Sequence, residues 1–386
     1  MKRLFFRRSW ALGLIVFILL ATACVGGNSA NNAIPKTPTQ LIKIPSDSPA
    51  PAETKLPPSL PAWVTTPNSS LANQVRVILI DQSGNLWAGG LGGLTRWEPN
   101  NDEPTTYVIS SNSEHTNIVA LNQTPDGAMW VGTFGNGVTR INDASWQSYT
   151  TENGLQGNYV ISQTVSASGE IWLNTKKTEY DYDPKQEFHF ARFDGNQWIN
   201  EVGGGFSWIF GLPNGSIVGA IGDTGVAKQD SRIGIYDGDE WIDLGLTRQT
   251  INAVTVSPDG TIWAASRNSI FLYANQMWRT TIPPWAGKDS ASVSSIAVAE
   301  DGTAWFGLSF GAGDFGNCGL RSDFAEEYGV YRYDGTTWTH FTTEDGLVDN
   351  KICAIALDSN DNPWFGSFDK GVSYFDGNEW TSYVIP

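Results

Sequence analysis

Cysteine and histidine are scarce, at three residues each in a chain of 386. That leaves little room for metal or thiol chemistry built on clusters of them. After residue 24 no apolar run is long enough to cross a bilayer. G-x-S-x-G, H-E-x-x-H and phosphate-loop motifs are missing, so the common hydrolase, metalloprotease and nucleotide-binding signatures do not apply. Basic residues are short as well, 24 Lys+Arg against 40 Asp+Glu, a net charge of −16. No basic stripe exists to hold a phosphate backbone, which excludes nucleic acid as a partner. Such acidity keeps an exported domain soluble, and it repels anionic polysaccharide unless cations bridge the two.

Residues 1–24 read as a bacterial export signal. Lys2, Arg3, Arg7 and Arg8 form a basic start, and Trp10 to Ala21 is apolar. The segment ends Leu-Leu-Ala-Thr-Ala-Cys, which makes Cys24 a lipidation candidate, although Ala21 stands where Leu is commonest. The alternative is ordinary signal cleavage beside an incidental cysteine. The expected location is outside the cell, lipid-anchored on the outer side of the bacterial cell membrane or in the outer membrane. Removing this leader takes four bases and no acid, so the mature chain carries 20 bases against 40 acids, a net −20. Residues 25–72 are rich in Pro, Ser, Thr, Asn and Ala. They cannot bury enough apolar surface to order themselves, and they read as a flexible tether.

Residues 73–386 hold a repeat of about 45 residues in seven copies. A turn glycine marks six of them, Gly84, Gly127, Gly169, Gly215, Gly260 and Gly302, with Asp361 in the seventh. A Trp follows three residues later at Trp87, Trp130, Trp172, Trp263, Trp305 and Trp364, replaced by Val218 in copy four. An outer Asp-Gly-x-x-Trp recurs at Asp194–Trp198, Asp237–Trp241, Asp334–Trp338 and Asp376–Trp380. Trp146 and Trp278 keep only the Trp, and Tyr107 stands in for it in copy one. Four short apolar runs per copy, split by Gly, Asn and Asp, predict antiparallel strands. The fold class is all-β, a seven-bladed β-propeller of four-stranded antiparallel blades. At one inner position the copies read Val77, Ala120, Ser162, Trp208, Ala253, Ser295 and Ala354, small as blades converging on an axis require. The segment 64–73 aligns with 149–158, so an N-terminal outer strand near Ala62–Val64 could help close the ring, which the sequence leaves open.

The copies at 125–142, PDGAMWVGTFGNGVTRIN, and 359–376, SNDNPWFGSFDKGVSYFD, resemble the two-component regulator propeller repeat. The links TTENGL at 150–155 and TTEDGL at 342–347 are similar to that family's as well. The resemblance covers residues 73–386. It implies an extracellular sensing propeller, here as a stand-alone lipoprotein. No kinase-like, helix-turn-helix or coiled-coil stretch is present, so a sensed signal would pass to a partner. The repeats are also similar in layout to the streptogramin lyases, which use face histidines with a bound metal. His115, His189 and His340 show no matching paired motif.

Three insertions fall between strands two and three: Asn174–His189, Ala220–Gly234 and Leu308–Gly329. In a propeller these connections share one face, and long loops on a rigid scaffold are where binding is placed. Candidate ligand contacts are Tyr180, Asp181, Tyr182 and Asp183 in the first insertion, and Asp314, Phe315 and Asn317 in the third. Trp285 joins them from the link 282–292. Trp208 and Phe210 interrupt the small inner positions and are candidates for the central opening. Aromatics beside carboxylates and amides suit a carbohydrate or a peptide. The bland alternative is that each insertion packs its rings as a satellite core. Asp181 and Asp183, with Glu179 and Glu187, lack the spacing and turn glycine of a calcium loop. No cofactor is therefore expected, with Ca2+ the one ion these residues would admit. Cys318 and Cys353 fall on neighbouring blades at the same face, and a disulfide between them would pin the third insertion. A monomeric binding or sensing propeller without chemistry is the expectation. A lyase or glycan-acting propeller enzyme and a protein-interaction scaffold stay open, since one fold hosts all three.

Overall fold

Each repeat folds because its turns are written into the chain. The glycine before the second strand takes a φ between 80° and 90° at Gly84, Gly127, Gly169, Gly215, Gly260 and Gly302. Asp361 occupies the seventh place at φ 62°. The outer turns use Gly195, Gly238, Gly335 and Gly377 at φ between 93° and 110°. The aspartate before each of these accepts two backbone N–H groups. Asp194 takes those of Asn196 and Gln197, and Asp237, Asp334 and Asp376 repeat the pattern. In the fifth copy Asn275 and Gln276, at φ 51° and 62°, turn without glycine.

The computed structural model describes residues 74–99, 103–107, 109, 117–142, 145–177, 188–201, 203, 205–221, 232–246, 251–288, 292–309 and 328–384. Within them lie seven four-stranded antiparallel sheets, each with its strands in sequence order. The inner strands are Val75–Ile80, Ile118–Gln123, Tyr159–Val165, Trp208–Gly211, Ala253–Val256, Ser292–Val298 and Ile352–Leu357. Each packs on the inner strand of the next blade, and the seventh packs on the first. The seven-bladed propeller expected from the repeat is therefore the fold. Blade 7 draws all four strands from the C-terminal end of the chain and blade 1 draws its four from 75–107. The outer strand considered near Ala62–Val64 lies outside the described residues.

The core is divided among the blade interfaces. Seven clusters of buried residues each join two adjacent blades. Far from the axis the space is wide, and the marker tryptophans fill it. Trp130 of blade 2 stacks on Tyr149 and meets Trp198 of blade 3 edge-on at 6.1 Å. Trp305 of blade 6 likewise meets Phe365 of blade 7 at 5.6 Å. Close to the axis glycine makes the room. A Cβ at Gly89, Gly307 or Gly366 would lie 2.6 Å from Ile118, Ile352 or Val75 of the following blade, and one at Gly132 would lie 2.9 Å from Val160. The glycine two residues after the marker Trp is thus an interblade contact. The pair Gly366–Val75 closes the ring by the same packing used elsewhere.

Candidate functional site

Three blades carry long connections between strands two and three. The described strands stop at Lys176 and resume at Phe188 in blade 3, stop at Ile221 and resume at Arg232 in blade 4, and stop at Ser309 and resume at Gly329 in blade 6. All three are the same connection of an identical meander, so they spring from one face of the ring. All three are shorter than expected, since Ala220 and Ile221 pair with Ile233 and Arg232 in blade 4 and Leu308 pairs with Gly329 in blade 6. Asn174, Thr175 and Lys176 pair with Phe190, His189 and Phe188, so these residues are strand and the first insertion is correspondingly shorter. The ladder continues because Phe190 is buried and its partner Asn174 binds the next blade. The Asn174 side chain donates to the Phe206 carbonyl, and the Gly205 N–H donates back to Asn174 Oδ1. That clamp fixes the approach to Trp208.

Trp208 and Phe210 are half-buried and pack on the blade 4–5 cluster that includes Val254 and Ile262. The space beside the glycines of this link is filled by other rings. A Cβ at Gly203 would meet Trp241, and one at Gly205 would meet Phe188. Trp285 requires a correction. It is fully buried, with Tyr331, Trp338 and Phe306 at 4.8, 5.3 and 5.7 Å between ring centres. The link carrying it folds under the wide outer part of blade 6, where a large ring is needed, so it cannot offer that ring to a ligand. Tyr180, Asp181, Tyr182, Asp183, Asp314, Phe315 and Asn317 lie outside the described residues, as do Cys24 and Cys318. Cys353 is half-buried in the inner strand of blade 7. His189 is the second residue of the third strand of blade 3, paired with Thr175. His340 Nε2 donates to the Tyr328 carbonyl at 2.8 Å and its ring stacks on Tyr331 at 4.1 Å. His115 lies outside the described residues.

The structure adds a group that the sequence reading missed. At the loop-rich end of blades 1 to 3, Arg76 Nη1 donates to Asn117 Oδ1 at 2.9 Å. The Asn117 carbonyl accepts the Phe134 N–H at 2.8 Å. Phe134 meets Tyr159 edge-on at 5.2 Å, and Lys176 Nζ stands 5.1 Å from the centre of the Phe134 ring. Lys176 is itself fully buried. Burial pushes the Arg76 guanidinium down to about 10. In blade 7 burial, then contact with the Asp369 carboxyl, pushes Asp349 up to about 6. The only trace of this group in the sequence is a basic residue at the start of one inner strand, which no repeat marker flags. At the opposite end of the axis, Val165, Leu212, Val298 and Leu357, together with Ser166 and Ser257, line a cavity of about 520 Å3.

Fold and face together define a seven-bladed β-propeller elaborated on one side. No protein-family model matches the chain, and no curated protein matches it in sequence. Solved structures are similar in fold. The extracellular domain of a hybrid two-component system protein from B. thetaiotaomicron shares 16% identity at TM-score 0.55, over 81% of this chain and 38% of that one. The chain therefore spans less than two fifths of that extracellular domain. Virginiamycin B lyase from Staphylococcus aureus shares 13% at TM-score 0.59, over 78% of this chain and 94% of the lyase. YCF48 bound to D1 peptide shares 14% at TM-score 0.57, over 82% and 94%. At these identities the likeness shows the fold alone.

Proposed function

We propose that this chain is an exported binding or sensing propeller that takes a carbohydrate or peptide ligand at the loop-rich face, without chemistry of its own. The observation that carries this reading is the origin of all three long connections at one face, beside half-buried Trp208. Propellers of similar fold include the extracellular domain of a two-component system protein and a protein solved with a bound peptide. The residues outside the described set, Tyr180 to Asp183 and Asp314 to Asn317, supply rings, carboxylates and an amide to that face. Cys24 carries the lipid and residues 25–72 the tether. A bond between Cys318 and Cys353 pins the blade 6 connection. Non-reducing peptide mapping checks both cysteine assignments, and free thiols at Cys318 and Cys353 would end the second.

Glycan and peptide arrays probed with the propeller, residues 73–386, test the function. The expected result is a saturable hit weakened about tenfold or more by Trp208→Ala, the loss of one well-packed aromatic contact. The variant must keep the parent's thermal transition. A hit unaffected by Trp208→Ala and by shortening the blade 3 and blade 6 connections would contradict the reading.

A further inference from the structure

Arg76 stands at the bulge of the first inner strand, between Val75 and Val77. It is half-buried, and among the described residues its hydrogen-bond partner is the neutral side chain of Asn117. Other arginines of the propeller are handled differently. Arg96 meets Glu98 at 3.3 Å, Arg140 meets Asp126 at 2.6 Å, and Arg192 meets Glu170 and Glu201 at 2.6 and 2.8 Å. No described carboxylate pairs with Arg76. In the pKa shift of Arg192 the bond to Glu201 comes first, and it raises the value. For Arg76 desolvation acts alone and lowers it. The group stays charged at neutral pH, and burying a charge without a counter-ion is unfavourable. In a chain with 40 acids against 24 bases, an internal acid partner would be easy to supply.

The surroundings suit an incoming anion. Lys351 directly precedes the inner strand of blade 7, which packs on that of blade 1, and its Nζ lies 5.6 Å from the Phe368 ring centre. Phe134 and Tyr159 extend the same end of the ring past Asn117. We propose that Arg76, steadied by Asn117, is the subsite for a carboxylate group on the ligand that enters from the loop-rich face. The guanidinium fork matches a carboxylate in shape, and one positive charge matches a single negative one. A dianion would bring a second charge into a strongly acidic molecule. This deepens the function proposed above and rests on it for its setting, because the ligand is the same.

The test uses the full propeller and acetate as the probe. The Arg76 Nε–H resonance, assigned by its loss in Arg76→Gln, is followed during an acetate titration at ionic strength held constant with potassium chloride. The expected result is a saturable shift. Asn117→Asp supplies an internal counter-ion of nearly the same shape, so it should weaken acetate binding about tenfold or more. It should also raise the thermal transition of the free protein, which separates it from a variant that merely fails to fold. A linear, non-saturating response to acetate would overturn the proposal, and so would an acetate affinity equal in the parent and Asn117→Asp. Ligand binding lost on Trp208→Ala beside an absent acetate response would sink the subsite alone. Acetate binding at Arg76 beside array binding that ignores the loop-rich face would sink the function reading alone.

Discussion

Asp349 shows how one residue's setting becomes a pH dependence. It is 4% exposed, in the link that leads into the last blade. Burial first, and then the Asp369 carboxyl, push it up to about 6, while Lys370 Nζ at 3.9 Å and the Lys351 N–H at 3.3 Å favour the ionised form too weakly to reverse this. The folded protein therefore holds this proton to a higher pH than the unfolded chain does. Stability is lost as pH rises from about 4 to about 6 and stays at the lower level above that. Asp349→Asn should raise stability at pH 7.5 by on the order of 1–3 kcal/mol and change it little at pH 4. Thermal melts at the two values check this, and an equal effect at both would contradict the assignment. Nothing in the sequence marks Asp349, because its shift comes from burial first and then from Asp369, which is distant in sequence. The tryptophan markers were legible, and their partners partly so. Arg96, Arg140, Arg192 and Arg332 lie 5.3 to 6.0 Å from the ring centres of Trp87, Trp130, Trp172 and Trp305, each directly across the ladder.

A blade cannot stand alone, because its buried residues belong to clusters shared with its neighbours. Turn glycines and marker tryptophans fix the strands locally, so the seven blades were readable from spacing. Closure was not readable, since it depends on which face of blade 7 meets blade 1. The answer lies in Gly366, whose missing Cβ admits Val75 as Gly132 admits Val160. Gly366→Val would force backbone or Val75 to move and should destabilise the ring by about 1–3 kcal/mol, as overpacking does. Hydrogen exchange should then quicken first in Val75–Ile80 and Ile352–Leu357, the two strands at that seam. Uniform quickening across all blades would argue against local closure by this contact. Trp285 shows where element-level reading failed. Its link was assigned correctly, but a link residue can fold inward when the wide rim of the next blade lacks filling.

The whole ring has two unlike faces. The turns between strands one and two and between three and four place Asp81, Asp126, Asp194, Asp237, Asp259, Asp301, Asp334, Asp358 and Asp376 on one side. Hydrogen bonds from the turns, side-chain hydroxyls at Asp126 and Asp259 and backbone N–H groups at the others, hold most of these carboxyls below their ordinary range. That face stays negative in mild acid. The opposite side carries the long connections together with Arg76, Lys176, Lys351 and Lys370, interspersed with acids such as Asp349 and Glu344. The sequence announced the sidedness through insertion positions, but not the basic residues at the strand ends.

Hydrogen–deuterium exchange with and without a ligand from the arrays tests that sidedness most directly. Protection concentrated at residues 74–77, 117–119, 134–137, 174–176 and 207–209 is the predicted result. Protection concentrated instead at the acidic turns, residues 81–85, 124–128 and 257–261, with the loop-rich ends unchanged, would contradict it.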